Sequence, residues 1–227
     1  MVDRPPAAAA PSPEAPTRRR RAGRLLVGLV GVAALAVAGA AAAWFVLPRL
    51  LAGEPFHGTT FPQADPAPAL DGLVTAAGEP VDLADYRGEP VVLFFGYTSC
   101  PDVCPITLAG LERASAQLGD KAVHVLFVGV DTARDTPEVL ARYVAAFGEP
   151  DGDGTTFVGV TGSPDAIADA AARYGVFYAL GEPDADGQYT VDHTASLIGI
   201  DAAGDLRVVW SADTTPEDLA ADLRRLD

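Results

Sequence analysis

Three apolar runs, VVLFFGY (91–97), VHVLFVGVD (123–131) and TFVGVTG (156–162), lack the sustained polar alternation of a half-exposed strand. Successive side chains of a strand point to opposite faces, so a strand can be apolar throughout only where both faces are covered. The cover is supplied by the helix-like stretches around them, PITLAGLERASAQLG (105–119), TPEVLARYVAAFG (136–148) and SPDAIADAAARYG (163–175). This alternation predicts one central sheet with parallel crossovers. Further on, SLIGID (196–201) and LRVVWSA (206–212) flank the hairpin turn Ala-Ala-Gly-Asp, and TPEDLAADLRRL (215–226) closes the chain. The sheet therefore ends antiparallel, after beginning with a short hairpin-like region, LVTAAGEPVDL (73–83). The fold class expected is α/β in the thioredoxin style, a mixed central sheet flanked by helices.

Residues 25–47 are a different kind of apolar run, 23 residues without a charge. As a helix they would reach roughly 35 Å, enough to cross a bilayer core. Arg18, Arg19, Arg20, Arg21 and Arg24 precede the run and only Arg49 follows it before Glu54, which by the positive-inside bias keeps the N-terminus in the cytoplasm. Small residues at 38–43 also suit a cleaved leader. Length and the Trp44-Phe45 pair, placed like an interfacial belt, favour a retained anchor. The expected organisation is a disordered basic cytoplasmic tail (1–24), a transmembrane helix (25–47), a Pro/Gly-containing tether (48–66) and one extracytoplasmic domain (67–227) on the cell membrane. Residues 50–227 carry 9 basic and 29 acidic side chains, a balance that argues against nucleic acid and for solubility or basic partners.

The chain has two cysteines, Cys100 and Cys104, in FFGYTSCPDVCP (94–105). Thr136-Pro137, Ser163-Pro164 and Thr215-Pro216 read as helix starts, with the hydroxyl as N-cap and proline at the first helical position. Cys104-Pro105 repeats the device with sulfur, which would place Cys104 at the positive end of a helix, where a thiolate is favoured. As a structural bridge the pair closes only about five residues, a stabilisation of about 2 kcal/mol in the loop-entropy picture. An oxidising compartment permits that disulfide. Haem attachment lacks its C-x-x-C-H spacing, and structural zinc wants four ligands. Two thiolates with one imidazole suit copper. Of the three histidines, His57 reads as an exposed tether residue and His124 as a satisfied strand residue, while His193, in YTVDHTASLIGID, stands in a loop before the strand at 196. The residues alone leave staple, redox switch and metal site open.

FFGYTSCPDVCP, GVDTARDTPEVLARYVAAFG and YTVDHTASLIGIDAAG together resemble the Sco/SenC family of membrane-anchored, thioredoxin-fold copper chaperones used in cytochrome c oxidase assembly. The likeness runs from about residue 56 to the C-terminus, and C-x-x-x-C followed by D-x-x-R-D-T-P-E and V-D-H is a specific combination. It implies Cys100, Cys104 and His193 as ligands of copper, as Cu(I), Cu(II) or both, and Cys100 with Cys104 as a redox pair capable of forming a disulfide. The partners implied are the copper-binding subunit of the oxidase and an upstream copper donor or thiol reductant. The alternative within the resemblance is a thiol–disulfide oxidoreductase that reduces the cysteines of the oxidase's dinuclear copper centre. Ser99 and Thr132 stand where many members have His and Pro; neither is one of the three ligands. For the remaining residues the expectations are capping by the D-T-P-E segment (135–138), an Asp131–Arg134 ion pair near the cysteines or facing a partner, and Phe95 and Tyr97 as the floor of the site. Asp102 and Asp192 are either solvated carboxylates or supports for the metal.

Overall fold

The computed structural model of the protein describes residues 35–41, 43–47, 55–148 and 154–227. It falls into two units, Met1–Pro55 and Phe56–Asp227. In the first, 35–41 and 43–47 are helical. Trp44 and Phe45 are exposed. No helix among the described residues is long and apolar enough to cross a membrane, and the rest of the 25–47 run (25–34 and 42), like the tail 1–24 and tether residues 48–54, lies outside them.

The second unit is built on a seven-stranded sheet in the order β1-β9-β8-β3-β4-β5-β2. The strands are β1 (Thr59–Pro66), β2 (Leu73–Thr75), β3 (Val91–Gly96), β4 (His124–Gly129), β5 (Thr156–Gly162), β8 (Ser196–Ile200) and β9 (Asp205–Ser211). As expected from the apolar runs, β3, β4 and β5 are parallel, with Phe94 opposite Phe127 and Phe127 opposite Gly159. Strand β8 joins β3 antiparallel and forms a hairpin with β9, whose turn uses Gly204 at φ 79°, a backbone region that costs glycine no steric penalty. All six residues of β3 are buried. Phe94, Phe95, Phe127, Leu126 and Trp210 are wholly inaccessible, each worth about 1.5–3 kcal/mol relative to exposure.

Helices α1 (Val103–Ser115), α2 (Pro137–Val144), α3 (Pro164–Arg173) and α4 (Pro216–Leu223) flank this sheet. Thr136, Ser163 and Thr215 cap the last three as the sequence predicts, each side-chain oxygen accepting from the amide three residues on, with proline following. The fourth helix start departs from the expectation. The N-cap of α1 is Asp102, whose carboxylate accepts from Val103 N and whose carbonyl accepts from Ile106 N. Cys104 is thus inside the first turn, where Pro105 is tolerated because the first amides of a helix have no intrahelical partner.

The tether expected over 48–66 is shorter. Residues 59–66 form β1, paired antiparallel with β9 across an irregularity between Thr60 and Asp65. Proline in TTFPQADP hides the strand from a pattern reading, yet an edge strand tolerates proline because only one side of it must hydrogen-bond. His57 is also more engaged than a tether residue. Its amide donates to Asp222 Oδ2 at 2.8 Å and its Nδ1 lies 3.0 Å from Asp222 Oδ1, while Trp210 Nε1 donates to the same buried carboxylate at 2.8 Å. His124 is the satisfied strand residue expected, its Nδ1 2.8 Å from Thr156 Oγ1 and its Nε2 2.5 Å from Glu89 Oε2.

A second, two-stranded sheet pairs β6 (Tyr178–Leu180) with β7 (Val191–His193), with Tyr178 opposite His193. His193 is therefore the last residue of a short strand rather than a loop residue. Periodicity has nothing to act on in strands of three residues.

Candidate metal centre

The loop leaving β3 and the first turn of α1 carry the cysteines, and β7 carries the histidine. Cys100, Cys104 and His193 each offer one donor atom, and all three lie within 4.8 Å of one another. Cys104 Sγ is 3.6 Å from His193 Nε2. Donors about 2.0–2.3 Å from a shared ion stand roughly 3.5–4 Å apart, so only a small contraction would seat an ion. Both cysteines are free thiols. A sulfur does occupy the positive end of the helix, but it is that of Cys100, which accepts from Cys104 N at 3.5 Å.

Cys104 is 0% exposed and Cys100 8%. Burial pushes the Cys104 thiol well above the ordinary thiol range, and proximity to Cys100 adds to the shift, with only a backbone hydrogen bond from Tyr97 opposing it. The sequence expectation of a favoured thiolate at Cys104 is thus reversed in the metal-free protein. The helix dipole acts chiefly on the capping sulfur, and desolvation outweighs it at Cys104, whose shift no cation among the described residues opposes. Burial lowers the pKa of His193 from 6.5, against smaller contributions from backbone groups of Thr194 and Phe95 and from Asp192. The imidazole is consequently neutral near pH 7, the form that binds metal. A proton must leave Cys104 when an ion binds.

The packing around the donors is tight. The Tyr97 ring meets the His193 ring edge-on at 5.7 Å, and Phe94 lies 6.3 Å from the imidazole. Phe95, the other floor residue expected, packs its ring on Tyr174 instead. At Gly96 even a methyl group would stand 2.9 Å from Cys104 Sγ and 2.8 Å from the Phe127 ring. The glycine in FFGYTSC is what lets the sulfur lie against the strand.

Asp102 is the helix cap described above, and Asp192 is exposed. The D-x-x-R-D segment following β4 does more than start a helix. Asp135, 1% exposed, accepts at Oδ1 from Thr98 N at 3.0 Å and Thr98 Oγ1 at 2.6 Å, and thereby holds the cysteine loop two residues before Cys100. Asp131 and Arg134 form the expected ion pair, with the carboxylate wholly buried. Thr98 was invisible as a site residue because nothing in the sequence links it to a carboxylate 37 residues away.

The SCO1/SenC family profile matches residues 72–226, well over half of the chain. The chain belongs to the SCO1/SenC family. The Bos taurus mitochondrial SCO2 homolog is 35% identical over 146 residues, covering 63% of this chain and 53% of that protein. The chain thus spans little more than half the length of this curated mammalian relative. A structure of Bradyrhizobium japonicum ScoI with copper bound is 34% identical, covers 75% of this chain and 99% of that one, and superposes with a TM-score of 0.59. BsSco, described as a member of the Sco family of cytochrome c oxidase assembly proteins in which a disulfide switch was identified, is 20% identical with a TM-score of 0.54, covering 73% of this chain and 95% of the other. That likeness is one of fold.

Proposed function

We propose that this SCO1/SenC protein is a copper metallochaperone that holds the ion with Cys100, Cys104 and His193 and delivers it to the dinuclear copper site of cytochrome c oxidase subunit II. The observation that carries the reading is the convergence of two sulfurs and one imidazole nitrogen within 4.8 Å, a donor set whose thiolates suit Cu(I) and whose imidazole serves both oxidation states. The copper-bound relative at 34% identity supports it, as does the description of the Sco family as oxidase assembly proteins. In the proposed cycle the reduced pair and neutral His193 capture copper with loss of the thiol protons. Docking on the oxidase subunit then lets incoming thiolates replace the ligands one at a time, Cys100 at the rim before Cys104 beneath it. Residues 25–47 act as a single membrane anchor with the N-terminus cytoplasmic and the copper domain outside, after the basic flank and the uncharged run.

The deciding experiment is titration of the reduced domain with Cu(I) against a chromophoric chelator, alongside His193→Ala. The wild type should retain one copper per chain and the variant should lose it. Failure of the wild type to hold copper against a moderate chelator would overturn the reading. A second reading, reduction of the subunit's cysteines, is favoured by the unequal exposure of the two thiols. In it the Cys100 thiolate attacks a partner disulfide, and Cys104 then resolves the mixed disulfide. A Cys100–Cys104 disulfide is left, two electrons pass to the partner, and the released thiolates take up the protons. His193→Ala separates the two, since dithiol exchange survives it and metal retention does not.

A further inference from the structure

The histidine half of the centre sits on a β6–β7 hairpin outside the main sheet, and a two-stranded hairpin is marginal by itself. Much of its hydrogen bonding is internal: Gly181 N donates to Thr190 O at 2.8 Å, Asp184 N to Gln188 O at 2.8 Å and Thr194 N to Phe177 O at 2.8 Å. It packs on the end of β3, where Phe94 and, just beyond the strand, Tyr97 face the His193 ring, and a second grip from outside comes from the segment following β4. Arg134 Nη1 donates to Tyr189 O at 3.0 Å, the guanidinium lies 3.7 Å from the Tyr189 ring centroid, and Tyr189 OH donates to Asp131 Oδ1 at 2.7 Å. The other oxygen of Asp131 accepts from Arg134 Nε. Backbone, ring and hydroxyl of one tyrosine are thus all held by one half-buried ion pair, four residues before His193. The same segment holds the cysteine loop through Asp135 and Thr98. We propose that Asp131, Arg134 and Tyr189 form a clasp that positions His193 against the cysteines, so that the loop after β4 sets the spacing of a centre to which it contributes no donor. The inference rests on the copper reading for its affinity test but not for its structural one.

The structural test is amide hydrogen exchange on the metal-free protein. Arg134→Met and Tyr189→Phe should speed exchange at residues 189–193 while leaving β3 and β4 unchanged. Tyr189→Phe keeps the ion pair and the ring contact, so the test stands even where Arg134→Met does not fold. Arg134→Lys should not restore protection, because lysine keeps the charge but not the planar stack with its second N–H. In copper competition each variant should weaken binding about ten- to a hundredfold, the usual cost of losing an outer support. Unchanged exchange in both variants would overturn the clasp, as would wild-type copper affinity in both. A wild type that binds no copper would overturn the proposed function alone and leave the exchange result to decide the clasp.

Discussion

Gly96→Ala and Gly110→Ala are the same chemical change on either side of Cys104, and their effects should have opposite sign. At Gly96 the new methyl would stand 2.9 Å from Cys104 Sγ and 2.8 Å from Phe127 Cε2, against an ordinary contact of 3.4–4 Å. Sulfur and ring must each retreat by about half an ångström or more in a core packed as densely as a crystal. Overpacking of this kind costs about 1–3 kcal/mol, a fall in Tm of about 2–12 °C for a domain of this size. Because the displaced atom is a donor of the proposed copper centre, copper affinity should fall too, by about tenfold or more. At Gly110, within α1, an added Cβ meets nothing within 4 Å. There alanine should stabilise by up to about 1 kcal/mol through helix propensity and a less entropic unfolded chain. Differential scanning calorimetry of the metal-free proteins, followed by chelator competition, reads both. If Gly96→Ala matched the wild type in Tm and copper affinity, the argument that β3 presses on the Cys104 sulfur would be wrong.

Three further outcomes are expected. Copper affinity should rise by at least about tenfold per pH unit near neutrality, because Cys104, whose thiol burial holds above its usual range, must give up its proton; a pH-independent affinity between pH 6 and 8 would contradict this. His193 is depressed below 6.5, so as pH falls below about 6.5 the unfolded chain takes up a proton that the folded one refuses, and metal-free stability should decline, a loss that His193→Gln removes in denaturant titrations. Asp135→Ala should cost about 1–3 kcal/mol by leaving both Thr98 donors without their acceptor, and Asp222→Ala at least as much by orphaning the Trp210 indole N–H; in urea unfolding, wild-type midpoints for either would count against the assigned bonds.

The sheet is legible because β3 and β4 are buried on two faces, which composition records directly, and because a glycine-containing turn marks the β8–β9 hairpin. Three helix starts were legible because Ser/Thr-Pro encodes a cap within two residues. Cys104-Pro105 misled because proline fits anywhere in the first turn, so it bounded the helix start without fixing it. β1 was missed for its prolines, β6 and β7 for their length. The cysteines drew attention through their spacing, but His193 did so only with the family resemblance, since its placement depends on contacts 89 residues apart. Thr98 and Tyr189 carry no local signal at all; their roles exist only through Asp135 and Asp131.

Strand β8 lies between β3 and β9, and its insertion is what brings the chain's late histidine beside its early thiols. A chain in which β8 has not yet entered the sheet owns two sulfurs but no assembled third donor. Metal capture by the complete set is therefore linked to the final topology, and an ion bound only by the folded form adds RT ln(1 + [L]/Kd) to stability, about 4 kcal/mol at a thousandfold excess over Kd. Loading and folding are thus a single equilibrium, and any acceptor that withdraws the ion also returns the protein to its less stable, empty state.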